Sequence, residues 1–299
     1  MDSHSKVVLI TGINGFTGKY LTDFLISKDY KVYGITNQKD QCDSKVFYSD
    51  ILNLEELKKV VDKIKPNYIF HLAAISFVQH KNISEIYNVN VVGTQNLLAA
   101  CLDNKENLKK VILASSATVY GTQNTDVLSE ELCPNPINHY GISKYAMEQI
   151  GKTYFQELPI IITRPFNYTA PGHGEQFVIP KIAKAFKNRE KTLELGNLDV
   201  FREYNSIEYV CDVYYKLMGS DINSEIVNIA SGRVHSLSQI IEVFKEKSNH
   251  NINIQINPNF VRKDEVKSLI GSTLKLDKLI ENKDINSNSI EKIIESFLK

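Results

Sequence analysis

Glycine recurs at every third position in Thr11-Gly12-Ile13-Asn14-Gly15-Phe16-Thr17-Gly18, directly between a β-branched segment, Val7–Thr11, and a segment of helical periodicity, Lys19–Lys28. Tyr20, Leu21, Phe24 and Leu25 carry that periodicity. A strand that runs into a helix over so few residues needs backbone positions free of Cβ, so the pattern dictates strand, tight turn, helix. The same alternation continues along the chain. Lys31–Thr36 reads as strand, Leu54–Ile64 as helix, Tyr68–Ala73 as strand, Glu85–Leu102 as helix, Lys110–Ser115 as strand, Tyr140–Phe155 as helix and Ile160–Pro165 as strand. Strands separated by crossover helices pair in parallel, which predicts an α/β fold built on a doubly wound parallel sheet.

The rhythm breaks after Pro165. Pro171–Gly174 reads as a turn, Pro180–Asn188 as a helix and Thr192–Leu195 as a strand, the beginning of a smaller α+β region. Glu225–Ala230 then reads as a buried strand that returns to the first sheet, and Leu237–Lys247 as a helix. The expected division is a first domain over residues 1–166 with a returning segment at about 204–234, and a second over 167–203 and 235–299. Asn249–Asn259 and Asn282–Asn288 are polar enough to read as loops.

With 299 residues, 42% of them hydrophobic and 23% charged, the chain can bury a core without disulfides or metal. Thirty-five basic and thirty-five acidic residues leave a formal net charge of +0, so there is no broad field for nucleic acid or anionic lipid, and the expected partner is a small molecule. The four cysteines, Cys42, Cys101, Cys133 and Cys211, are too far apart for a redox pair or a zinc site; they read as buried free thiols, and no metal is expected. No segment approaches about 18 uninterrupted apolar residues. Met1–Val7 is short and polar, so a cytoplasmic location away from membranes is expected.

The glycine turn also carries chemistry. The helix it opens directs free N–H groups and a positive dipole end toward an anion, typically a dinucleotide pyrophosphate. A carboxylate usually ends the second strand where NAD ribose is held, but this chain reads Gly34-Ile35-Thr36-Asn37-Gln38-Lys39. Its absence favours NADP(H), with Asn37 as a donor and Lys39 as a charge partner for the 2′-phosphate, and leaves NAD(H) as the alternative.

Tyr140-Gly141-Ile142-Ser143-Lys144 places a phenol and an ammonium on one face at the start of a helix. A free tyrosine titrates near ~10, and a neighbouring cation is expected to lower it. Upstream, Ala114-Ser115-Ser116-Ala117-Thr118-Val119-Tyr120-Gly121 ends the fourth strand of the reading, where open parallel sheets hold ligands. Ser116, with Ser115 as its neighbouring competitor, would complete a hydroxyl, proton and charge set for hydride transfer at a carbonyl.

On these residues the chain resembles the extended short-chain dehydrogenases/reductases, the group of nucleotide-sugar epimerases, dehydratases and reductases with a Rossmann domain. The resemblance implies that Gly12, Gly15, Phe16, Thr17 and Gly18 hold the dinucleotide. It also implies that Asp50 and Ile51 face the adenine, and that Leu72, Ala73 and Ala74 after His71 line the cofactor. Asn90 with Gly93-Thr94 continues the match, as does Arg164-Pro165-Phe166-Asn167, with Phe166 expected near the nicotinamide and Asn167 near the sugar diphosphate. Lys144 would hold the nicotinamide ribose beside Tyr140.

The family's 4,6-dehydratases carry an acidic residue immediately before Val119-Tyr120-Gly121, where this chain has Thr118 preceded by Ala117. Neither titrates near neutrality, so dehydration is not expected. Leu195-Gly196-Asn197-Leu198-Asp199 followed by Arg202 resembles the branch of GDP-mannose dehydratases and GDP-4-keto-6-deoxymannose reductases, and implies a GDP-sugar. Ser76, Ser116, Asn167, Val178, Arg202, Arg262 and Glu265 form the implied substrate set. Two departures stand out: Ile207-Glu208-Tyr209, where the family has an acidic residue in the segment after Arg202, and Gly271-Ser272, where it often has Gly-Asp.

The expected function is NADPH-dependent reduction of a nucleotide 4-keto-6-deoxyhexose in deoxysugar biosynthesis for surface polysaccharide, giving GDP-D-rhamnose or its C4 epimer. The alternatives are a 4-epimerase with tightly bound NAD and, outside enzymes, a dinucleotide-sensing regulator. By family habit a homodimer is expected, pairing the helices read at Glu85–Leu102 and Tyr140–Phe155.

Overall fold

A computed structural model describes residues 6–76, 80–261, 268–280 and 288–299. Seven parallel strands form the main sheet, in the spatial order Glu225–Ile229, Ile160–Pro165, Lys110–Ala114, Tyr68–His71, Val7–Thr11, Lys31–Thr36, Val46–Tyr48. The order reverses between Tyr68–His71 and Val7–Thr11, the place where doubly wound sheets open a crevice beyond their strand ends. The predicted α/β class is therefore what the chain forms.

Period-two burial explains the layering. In the first strand Val8 and Ile10 face one core, shared with Leu21 and Leu25 of the Phe16–Ile26 helix and Val210, Tyr214 and Leu217 of the Ile207–Met218 helix. Leu9 faces the other, shared with Leu57 and Val61 of Leu54–Ile64, Leu97 and Leu98 of Gly93–Leu102, and Met147 of His139–Thr153. Helix starts follow their caps. Asn53 accepts from Glu56 N, Asn138 Oδ1 from Gly141 N at 2.9 Å, and Ser236 forms a reciprocal box with Gln239.

A smaller mixed sheet runs in the order Val234–Ser236, Phe201–Glu203, Ser268–Gly271, Val127–Leu128. A third core lies beneath the helices Val178–Lys187, Leu237–Ser248 and Ile290–Leu298. Val127–Leu128, inside the 1–166 segment, thus supplies an edge strand to the smaller sheet. Part of Asn249–Asn259, read as a loop, is the strand Asn253–Ile256 paired with Thr192–Leu195. Of the other segment read as a loop, positions 282–287 lie outside the described residues. The helix read at Glu85–Leu102 is interrupted by a wide π-helical turn, Asn88–Val92. Cys101 and Cys211 are buried free thiols as expected, whereas Cys42 and Cys133 are exposed, because they fall in loops and no apolar period carries them inward.

Glu203 ties the smaller sheet to the main one. Its buried carboxylate accepts from Ser231 N at 2.7 Å, just past the last main-sheet strand, from Gly271 N at 2.7 Å and from Asn205 Nδ2 at 3.1 Å. Burial raises its pKa, and those hydrogen bonds oppose the rise. Glu203→Ala leaves buried backbone donors unpaired and is expected to cost about 3 kcal/mol, read as a lower urea midpoint; Glu203→Gln, which keeps an acceptor, loses less.

Candidate active site

The glycine turn is shaped by contacts that exclude side chains. Gly12 has φ +71°, and a Cβ there would lie 2.8 Å from Ala73 N, so the first and fourth strands in chain order meet backbone to backbone beyond their ends. Gly18 packs against the carbonyls of Gly12 and Ile13, again leaving no room for a Cβ. Gly15 caps the Phe16–Ile26 helix with no side chain over its first N–H groups, and Asn14 Nδ2 is buried in the turn without a partner among the described residues. An open helix terminus, a cradle closed to side chains and an orphaned amide donor fit the pyrophosphate of a dinucleotide.

A chain of directional hydrogen bonds holds the crevice. Thr94 Oγ1 donates to Asn90 O at 2.8 Å, so its oxygen accepts from His71 Nε2–H at 2.8 Å. His71 Nδ1 accepts from Thr11 Oγ1 at 2.8 Å, and Thr11 Oγ1 accepts from Ala73 N at 3.2 Å. Burial pushes the His71 imidazole down to about 3, with Lys144 adding to the drop. Asn90, central in the π-helical turn, accepts from Ile75 N at 2.8 Å and donates to Ile75 O and Ser143 Oγ. Ser143 Oγ in turn donates to Tyr140 O. Both amide donors of Asn90, a residue expected among those that hold the cofactor, are thus committed within the protein: it supports the loop after the fourth strand and the Tyr140 helix.

The Asn138 cap sets Tyr140 in the first turn of the His139–Thr153 helix, and Tyr140 and Lys144 are buried on its inner face. The Ser116 hydroxyl is the neighbouring side chain that favours the ionised form of the Tyr140 phenol. Ser115 Oγ points elsewhere, donating to Glu148 at 2.6 Å, so of the two candidate serines Ser116 is the one beside the phenol. Glu148 lies one turn below Lys144 and is paired with buried Arg164 through two bonds of 2.9 and 2.7 Å. Lys144 Nζ donates to Ala114 O at 2.7 Å. The expected lowering of the phenol pKa is reversed in the protein alone. Burial drives Tyr140 up and the neighbouring Ser116 hydroxyl only opposes it, while burial pulls Lys144 itself down to about 8, against the field of Glu148.

The remaining expected residues divide. Asp50 is exposed beyond the third strand, with Oδ1 accepting from Leu52 N, but the Ile51 side chain is buried against Gly93. Leu72, Ala73 and Ala74 follow His71 along the crevice. Asn37 is exposed, and Lys39 Nζ sits 4.9 Å from the centroid of Tyr48. Phe166, expected to line the cofactor site, is 2% exposed and packed among Tyr120, Ala230 and Gly271, because the smaller sheet closes over it. Asn167 and Ser76 are exposed, Val178 opens its helix half-buried, and Arg202 is buried with Nη1 donating to Phe201 O. Arg262 and Glu265 lie outside the described residues.

The structure adds residues that spacing could not reveal. His173 stacks between Phe16, at 4.2 Å, and Phe177, at 4.1 Å, and Tyr168 OH meets Thr17 Oγ1 at 2.8 Å, joining the glycine-turn helix to a segment about 150 residues later. Only local aromatic content marked these positions in the sequence.

The chain matches the family GDP-mannose 4,6 dehydratase over residues 9–294. It belongs to that family. A GDP-6-deoxy-D-talose 4-dehydrogenase from Aggregatibacter actinomycetemcomitans is 38% identical over 293 residues, covering 98% of this chain and 97% of that protein. A GDP-6-deoxy-D-mannose reductase from Pseudomonas aeruginosa is 26% identical over 282 residues, covering 90% and 89%. A crystal structure of a protein from Burkholderia cenocepacia J2315 superposes with a TM-score of 0.91 at 32% identity, covering 98% of each chain. As a member of the extended short-chain dehydrogenases/reductases, the protein is an NAD(P)-dependent oxidoreductase of a nucleotide sugar. Among the described residues no helix is long and apolar enough to cross a membrane, and no group of side chains is arranged to hold a metal.

A histidine that refuses a proton makes the fold acid-sensitive. Above about pH 6.5 His71 is neutral folded and unfolded; as pH falls toward about 3 only the unfolded chain takes the proton, so this contribution to stability is progressively lost. Long-range proton–nitrogen NMR at about pH 5 is expected to show His71 neutral and in the Nε2–H form, with thermal stability declining over the same window.

Proposed function

We propose that this enzyme reduces the C4 ketone of a GDP-linked 4-keto-6-deoxyhexose with NADPH, giving GDP-6-deoxy-D-talose, the C4 epimer of GDP-D-rhamnose. The observation that carries the reading is the make-up of the site. Ser116, Tyr140 and Lys144 supply a donor, a proton and a charge for one carbonyl, while Ala117 and Thr118 beside them bear nothing that titrates near neutrality. Dehydration would need a further acid and base, so the site is equipped for redox work at one carbon. The 38% identity to the talose enzyme supports the choice of product over the mannose configuration, for which the related reductase is 26% identical.

Gly12, Gly15 and Gly18, the Phe16–Ile26 helix terminus and Lys144 would hold the dinucleotide, which supplies hydride to the sugar carbon when bound. Tyr140 carries the proton destined for O4, and its raised pKa keeps it protonated across neutral pH, as a general acid requires. Ser116 donates to the same oxygen and steadies its developing charge. Lys144, at about 8, is mostly protonated near neutral pH and keeps the site positive where charge builds. Arg202 and Asn167 would face the sugar diphosphate, with Ser76 and Val178 at the sugar. NADPH is the assigned reductant because Asn37 stands where a carboxylate would repel a 2′-phosphate. We assign the sugar site to the junction of the main sheet with the smaller lobe, and a homodimer to the helices carrying Asn90 and Tyr140.

Purified enzyme with GDP-4-keto-6-deoxy-mannose is expected to consume NADPH stoichiometrically and to yield the talo product by NMR. Tyr140→Phe is expected to lose at least about a hundredfold in kcat while binding NADPH normally. Full activity of that variant, or an isolated enzyme that carries NAD and interconverts C4 epimers without reductant, overturns the reading. Asn37→Asp is expected to raise the KM for NADPH at least about tenfold with little change for NADH, measured by steady-state kinetics.

A further inference from the structure

We propose that Thr118 is a positioning residue that makes Ser116 an obligate hydrogen-bond donor, so that the proton of Tyr140 stays available to the substrate oxygen. The inference rests on the reductase reading and adds a residue to it. A serine hydroxyl has one proton to give and two lone pairs with which to accept. At Ser116 both lone pairs are filled from the same residue: Thr118 N donates to Oγ at 3.2 Å and Thr118 Oγ1 donates to it at 2.9 Å. What remains on Ser116 is its own proton, and its neighbour is the phenol of Tyr140.

The backbone bond alone would suffice to cap the short helical turn Ala117–Tyr120 that Ser116 begins. The second bond, from the threonine hydroxyl, is not needed for the turn. Without it one lone pair of Ser116 would be free to accept from the phenol, and the Tyr140 proton would be held by serine instead of being offered to O4. The turn is also seated firmly on the helix that carries Tyr140. A Cβ on Gly141 would come within 2.8 Å of Thr118 O, and Thr118 O itself accepts from Gly121 N at 3.3 Å. The hydroxyl that sets the polarity of Ser116 is therefore held at fixed distance from the first turn of that helix. In the reductive step hydride adds to C4, the C4–O4 double bond becomes single, and O4 takes the Tyr140 proton while Ser116 donates a hydrogen bond to O4.

The test compares Thr118→Val, which keeps the shape and removes the hydroxyl, with Thr118→Ser, which keeps the hydroxyl. For Thr118→Val the expected result is a fall of about tenfold in kcat with KM within about twofold, together with a shift to higher pH of the alkaline limb of the kcat/KM profile, which reports the free enzyme. The limb moves up because a phenolate that no longer receives the Ser116 proton is harder to form. Thr118→Ser is expected to restore both. A second readout needs no substrate: with 13Cζ-labelled tyrosine, the Tyr140 resonance, assigned by its loss in Tyr140→Phe, moves in Thr118→Val and stays at the wild-type position in Thr118→Ser. An unchanged limb and resonance in Thr118→Val, or equal impairment in Thr118→Ser, overturns the proposal. If the wild-type enzyme reduces no GDP-linked keto-sugar, the functional reading fails on its own, and the tyrosine resonance still decides the role of Thr118.

Discussion

A neutral imidazole clamped between two threonine hydroxyls holds the crevice of this enzyme in register. Thr11 and His71 are paired neighbours at the ends of the two strands where the sheet reverses its order. Their side chains are joined by a bond whose direction is fixed at both ends of the ring. Burial makes the charged form of His71 too costly to populate near neutrality, so the ring stays a one-way donor and acceptor. From this point the chain Ala73, Thr11, His71, Thr94, Asn90, Ser143 passes positional information from the glycine turn to the helix that carries Tyr140.

The same dryness tunes Tyr140 and Lys144. Burial raises the phenol and lowers the ammonium, so both lean toward neutrality. Glu148 holds Lys144 nearer the charged state. Arg164 anchors that carboxylate through paired bonds, and its guanidinium lies 4.8 Å from the Tyr120 ring centroid. A buried ion pair is weak as a source of stability, but it leaves Glu148 a single orientation beneath Lys144. The result at neutral pH is a protonated phenol beside a largely protonated ammonium, the polarity that the proposed ketone reduction calls for.

Much of this was legible in the residues. The strand-turn-helix unit, the sheet class and the Tyr140 and Lys144 pair follow from period and spacing within short windows, where local backbone geometry decides which side chains share a face. Thr192–Leu195 and Ile160–Pro165 were readable for the same reason. Asn253–Ile256 reads as a loop because of the asparagines around it, although Ile252, Ile254 and Ile256 alternate with polar residues at strand period, and in the fold it pairs with Thr192–Leu195. Val46–Tyr48 and Val127–Leu128 are too short for a period to show, and Phe166 was placed by family likeness in a crevice that the smaller sheet covers.

The amino-acid order by itself determined where the chain must turn, which faces are apolar and which groups capable of proton transfer stand one helical turn apart, since these depend on steric limits and periodicities within a few residues. Only the tertiary structure decided which serine lies beside Tyr140, that Asn90 spends its amide on the scaffold, that His173 bridges Phe16 and Phe177, and that the phenol is raised instead of lowered. Each of these depends on desolvation and on partners brought together across distant segments. Such terms arise only when the sheets close around the site.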